Sequence, residues 1–134
     1  MNNKESQEKV FNRDLIKWVR DFIKKDYVKE SECYICNSNI NLELHHLYSV
    51  SELFNTWIEK NKIEINSIED IKFQREVFYK DNYGYLTPEN CRTLCKQHHE
   101  RLHNLYGQRY SNSKSGKVKN WIEVQREKVN AKRL

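Results

Sequence analysis

Phe11, Leu15, Trp18, Val19, Phe22 and Ile23 recur at intervals of three and four, a stripe down one side of a helix over residues 11–27, with Asn12 as N-cap. The period then drops to two. In "INLEL", Ile40 to Leu44, apolar and polar residues alternate as in a half-buried strand, and the run leads straight into His45 and His46. Helical spacing returns in "SELFNTWIEKN" and "IEDIKFQREVFYK", joined by "KIEINS" within about residues 51–81. The Asn, Gly and Pro of "DNYGYLTPEN" then punctuate the chain. Lys96 to Tyr106 reads as a helix that Gly107 ends, "SNSKSG" as a linker, and residues 117–132 as a final helix with Val118, Trp121, Ile122 and Val129 on one side. The pattern predicts an α+β chain, mostly helical and without repeats.

Composition changes that picture in one respect. A chain of 134 residues fits a single domain, 1–134, but with 37% hydrophobic and 32% charged residues it lacks the apolar surface for a large core. A metal staple offsets such a deficit. No apolar run approaches the ~18–20 residues of a membrane span, and "MNNKESQEKV" has no apolar stretch of a signal peptide. The expectation is a soluble, cytoplasmic protein, and in that reducing compartment clustered cysteines hold metal more often than they form disulfides.

All four cysteines and all five histidines lie in two windows, "CYICNSNINLELHH" and "CRTLCKQHHERLH". Cys33-x2-Cys36 has the spacing by which two thiolates reach one tetrahedral zinc, and Cys95-x2-His98 repeats it. Together they make a closed structural Zn2+ site of three thiolates and one imidazole. Cys91 is the rival fourth ligand, though its spacing to Cys95 suits a knuckle less well; otherwise it is a small buried hydrophobe. His99 and His103 stand one helical turn apart on one face and can share a second cation, with His45 or His46 completing three imidazoles. Three ligands leave positions open for water and phosphate, as catalytic metals require and structural ones avoid.

The composite pattern C-x2-C, HH, N, LC-x2-HH-x3-H resembles the HNH endonuclease motif, and "HNLYG" after the last histidine is similar to small HNH enzymes of phage and homing type. The resemblance covers residues 33 to 107 and implies a ββα-metal finger with zinc-ribbon-like knuckles. It carries a helical insertion at about 51–81 and is flanked by N- and C-terminal helices. It implies His45, His99 and His103 as ligands of a catalytic Mn2+, Ni2+, Co2+ or Mg2+, His46 as general base, and Asn90 as the asparagine that ties the loop and orients the base. Phosphodiester hydrolysis leaving 5′-phosphate and 3′-hydroxyl ends follows from the same resemblance. This chain departs from the family in the long interval between His46 and Asn90, in lacking a proline after the histidine pair, and in ending the second knuckle with His98 where many members have cysteine.

Charge adds the substrate. Arg101 to Leu134 holds nine Lys or Arg against two Glu, a net of +7 in a chain of +5, so the first hundred residues sum to −2. A solvated helix face would also be basic, but beside a nuclease motif the patch reads as a phosphate-binding surface of Lys96, Arg101, Arg109, Lys114, Lys117 and Lys119. The expected partner is double-stranded DNA, with no membrane, and with monomer or homodimer left open. No helix-turn-helix motif is visible, so sequence reading falls to the N-terminal helix, the insertion or a partner. The reading from a different class is a non-catalytic zinc-ribbon module that binds nucleic acid.

Overall fold

A computed structural model of the chain describes residues 15–133; Phe11 and the predicted N-cap Asn12 lie outside the described residues. In chain order the elements are α1 (residues 15–24), β1 (Leu42–His46), α2 (Val50–Lys60), α3 (Ile68–Asp81), the single turn α4 (Tyr83–Leu86), β2 (Cys91–Cys95), α5 (Lys96–Tyr106) and α6 (Ser115–Arg133). Short 3-10 turns occupy Pro88–Asn90 and Asn112–Lys114. The described chain is thus α+β and mostly helical, with one small antiparallel sheet. It divides into a helical unit, residues 15–27 with 50–86, and a sheet unit, residues 28–49 with 87–133. No helix among the described residues is long and apolar enough to cross a membrane.

In the helical unit, Leu15, Val19 and Ile23 form the buried seam of α1, with Val50, Phe54 and Trp57 of α2 and Ile71, Phe78 and Tyr79 of α3 in the same core. Phe78 anchors it, its ring 5.1 Å from Phe54 and 5.5 Å from Trp57. The indole N–H of Trp57 donates to Asp81, which removes the cost of burying it. Ser67 caps α3 by accepting from the Asp70 N–H, while the Asp70 carboxylate accepts from Asn66. Trp18, expected in the core stripe, sits at its margin, 36% exposed, under the ammonium of Lys72 and the guanidinium of Arg75. A seam spaced strictly by four leaves no room for it at the centre.

The sheet unit pairs β1 with β2, Leu42 opposite Cys95 and His46 opposite Cys91. Beyond the last pair the Leu47 N–H donates to the Asn90 carbonyl, and at the other end the Lys96 N–H donates to Asn41. The strand therefore lies two residues later than the alternation in "INLEL" predicts, leaving Ile40 66% exposed. Backbone pairing to β2 outweighs the apolar preference of one residue, and β2 itself carries no alternation strong enough to mark it. Tyr34 N–H donates to the Thr93 carbonyl and Glu30 N–H to the Thr93 hydroxyl, tying the first cysteine knuckle to β2. Behind it lie Ile35, Leu47, Leu94, Leu102, Val118 and Ile122. The "SNSKSG" segment is no free linker: Asn112–Lys114 form a 3-10 turn, and Ser115 and Gly116 already belong to α6.

Candidate metal centres and nucleic-acid surface

Because β2 runs into α5 with no intervening loop, Cys95 ends the strand and His98 lies in the first turn of the helix. The ligand atoms of Cys33, Cys36, Cys95 and His98 lie within 4.8 Å of one another, with Cys36 Sγ 3.9 Å and His98 Nδ1 3.2 Å from Cys95 Sγ. All four cysteines are free thiols. Asn37, in the left-handed region at φ 63°, closes the first knuckle, and its N–H donates to the Cys33 carbonyl. Burial pushes the Cys33 thiol up, but backbone N–H groups of Cys95, Cys36 and Ile35 aimed at its sulfur outweigh this and hold it below the ordinary range. Burial, with the neighbouring Cys33 and Cys95 sulfurs, pushes Cys36 up to about 11 against a lowering contact from Ser38. Thiolates so crowded do not all ionise unaided. A dication fits this donor set: bonds of about 2.3 Å from sulfur put tetrahedral ligands roughly 3.8 Å apart. Cys91 stands outside the cluster, opposite His46 in the sheet.

His98 and His99 point about 100° apart around α5, so they serve two different clusters. Strand alternation likewise keeps His45 and His46 from facing α5 together. It is His45, 5% exposed, that joins His99 and His103, their ligand nitrogens also lying within 4.8 Å of one another. His45 Nδ1 is 3.1 Å from His99 Nε2, which is 2.9 Å from His103 Nε2. Nitrogens bound at about 2.0–2.1 Å to one cation at angles of roughly 90–110° stand about 2.9–3.4 Å apart, so the spacing fits a shared ion.

The outward nitrogen of each ring meets an oxygen. His103 Nδ1–H donates to the Gly107 carbonyl at 3.0 Å, and His99 Nδ1 faces the Glu43 carboxylate at 3.5 Å. His45 Nε2 meets the Tyr110 hydroxyl at 2.8 Å. That hydroxyl donates to the Leu47 carbonyl at 2.9 Å, with the His46 carbonyl at 3.4 Å, so its oxygen is open to a proton from His45. With the protons on the outward nitrogens, all three inward nitrogens would offer lone pairs, and the outward acceptors have the form of the outer shell around metal-bound histidines. Burial, then the charges of His99, His103 and His46, pushes His45 down to about 3. Burial and His103 lower His99 as well, with Glu43 opposing, and burial followed by Arg101 lowers His98. Each of these shifts favours neutral imidazole, the form that binds metal.

His46 ends β1, half-buried, and Asn90 ends the 3-10 turn before β2; the Asn90 carbonyl holds the Leu47 N–H at 3.0 Å, directly after His46. Lys96 lies on the α5 face that carries His99 and His103. Arg101 lies about half a turn away, over the Trp121 ring. Arg109 and Lys114 are exposed in the segment between α5 and α6, and Lys117 and Lys119 on α6. Lys117 and Lys128 line a groove of about 740 Å³ between α5 and α6, with Leu105, Tyr106, Trp121 and Val124.

One functional candidate escaped the sequence pattern: Tyr110 stands in a polar segment outside both cysteine–histidine windows, and nothing local marks it. Glu43, which the sequence offers as the carboxylate nearest the proposed ligands, lies two residues before His45 on the same side of the strand and meets His99. Residues 5–132 match the family model described as the nicking endonuclease family. No solved structure matches the chain.

Proposed function

The chain belongs to the nicking endonuclease family, and from that premise we propose that it is a metal-dependent DNA endonuclease of the HNH type, cutting one strand of a DNA duplex. The observation that carries the HNH reading is the convergence of three imidazoles, each anchored through its other nitrogen, on a β1–β2–α5 frame that also holds His46 and Asn90.

His45, His99 and His103 would hold the catalytic cation, and Cys33, Cys36, Cys95 and His98 a structural Zn2+. A bound divalent cation supplies Lewis acidity toward the phosphate and the departing 3′ oxygen. His46 takes the proton from the attacking water, a task suited to an imidazole because its basicity lies near neutrality. Asn90 steadies that base through its carbonyl, which locks the strand one residue beyond His46. Lys96, beside the histidine face, and Arg101, Arg109, Lys114, Lys117 and Lys119 bind flanking phosphates. Products carry 5′-phosphate and 3′-hydroxyl ends.

The test is conversion of supercoiled plasmid to open circle with Mn2+, Co2+, Ni2+ or Mg2+, alongside His46→Ala. Wild type should nick and His46→Ala should lose about a hundredfold or more of that rate while keeping its metal. A His46→Ala rate within tenfold of wild type overturns the base assignment. Plasmid binding without nicking under every cation overturns the enzyme and favours a binding module.

A further inference from the structure

The two atoms on either side of His45 present a choice. In one ring tautomer Nδ1 carries the proton and can donate it to His99 Nε2, 3.1 Å away, which closes the centre on itself. In the other, Nε2 carries the proton and donates to the Tyr110 hydroxyl at 2.8 Å, leaving Nδ1 bare. Only the second presents three lone pairs to a cation. The hydroxyl is available as an acceptor because its proton is committed to the Leu47 carbonyl at 2.9 Å. Ser115, buried at the start of α6, donates to that same carbonyl at 2.7 Å.

We propose that Tyr110 is a positioning residue of the three-histidine centre: its hydroxyl holds His45 in the tautomer that offers Nδ1 to a divalent cation, and ties that ring to the main chain that follows His46. This rests on the reading of His45, His99 and His103 as cation ligands. The same hydroxyl reaches the carbonyls of His46 and Leu47 and the ring of His45, so one residue of the α5–α6 connection sets both the proposed ligand and the exit of the strand that ends in the proposed base.

Ser115 supplies the control, since it shares the Leu47 carbonyl with Tyr110. Protein carrying zinc only in its cysteine cluster is titrated with Mn2+, free Mn2+ being followed by electron paramagnetic resonance. Tyr110→Phe should weaken Mn2+ binding by about ten- to a hundredfold, while Ser115→Ala should leave it within about threefold of wild type, with cluster zinc retained in both. Equal losses in the two variants would mean that Tyr110 acts only by anchoring Leu47, and an unchanged Mn2+ affinity in Tyr110→Phe would leave it no role; either result overturns the proposal. Ring-nitrogen NMR on the wild type, free of Mn2+, provides a readout that does not depend on a variant folding: His45 should be protonated at Nε2, and protonation at Nδ1 overturns the assignment. Because affinity and tautomer are measured without DNA, a wild type that fails to nick would count against the nuclease reading alone.

Discussion

The helical unit and the sheet unit are held together differently. The first buries ten hydrophobic residues around Phe54, Trp57 and Phe78, and its nine Lys or Arg balance nine Asp or Glu. The second buries six aliphatic side chains and two cysteines, has no fully buried aromatic among its described residues, and carries twelve Lys or Arg against seven Asp or Glu. All of the chain's net charge of +5 is thereby accounted for by the sheet unit, which also holds both ligand clusters. The unit with the weaker apolar core is the one that carries both candidate metal clusters and the excess positive charge. A site that exposes imidazoles and cations to a polyanion cannot also bury much aromatic surface, and metal held by the cysteine cluster would offset that loss.

Stripping the cysteine-cluster metal should break this comparison most severely. Structural zinc contributes on the order of 10 kcal/mol or more to small domains of this kind. Chelation, or Cys33→Ser or Cys95→Ser, should therefore abolish hydrogen-exchange protection across residues 28–49 and 87–133 and leave that of α2 and α3. Cys91→Ser should do neither. Loss of metal from Cys91→Ser but not from His98→Ala would replace His98 by Cys91 in the cluster.

The converse perturbation is Phe78→Ala. Removing the ring that meets both Phe54 and Trp57 should cost about 3–5 kcal/mol of helical-unit stability in a denaturant titration, with zinc content unchanged. If zinc is released as well, the two units do not have separate stabilities.

The proposed catalytic cation sharpens the contrast between the two clusters inside the sheet unit. Three nitrogen ligands favour transition metals over Mg2+, which prefers oxygen and sheds water reluctantly. Mn2+, Co2+ or Ni2+ at micromolar levels should support nicking at least as well as millimolar Mg2+, whereas replacing His103 by Asp should shift the preference toward Mg2+. Strict Mg2+ dependence of the wild type would bring Glu43 into the coordination sphere in place of its present contact with His99.

The smallest expected effect is at Gly107. At φ 91° and ψ 159° it occupies a region that essentially only glycine enters, and the turn it makes brings its carbonyl back to His103 Nδ1. An added Cβ would meet nothing within 4 Å, so Gly107→Ala should cost only backbone strain, about 1–3 kcal/mol of stability, with a weaker Mn2+ affinity. A fully tolerated alanine would show that the carbonyl does not set the His103 ring.

Local patterns made much of this legible. The spacing of Cys33 with Cys36, of Cys95 with His98 and of His99 with His103 is a property of knuckles and helices, so each pair could be read from a few residues. The periods marking α1, α2, α3, α5 and α6 are equally local. Three things depended on contacts between distant segments. The choice of His45 over His46 follows from the register that sets β1 against β2 with 44 intervening residues. The displacement of β1 past Ile40 has the same origin, since ladder hydrogen bonds determine where a strand begins. Tyr110 reaches His45 across 65 positions of sequence, and no periodicity or motif encodes a hydrogen bond at that range. The sequence by itself determined which residue types are present and which near neighbours share a face. Only the tertiary structure decided which ring nitrogen points inward, because that depends on where another segment places a single oxygen.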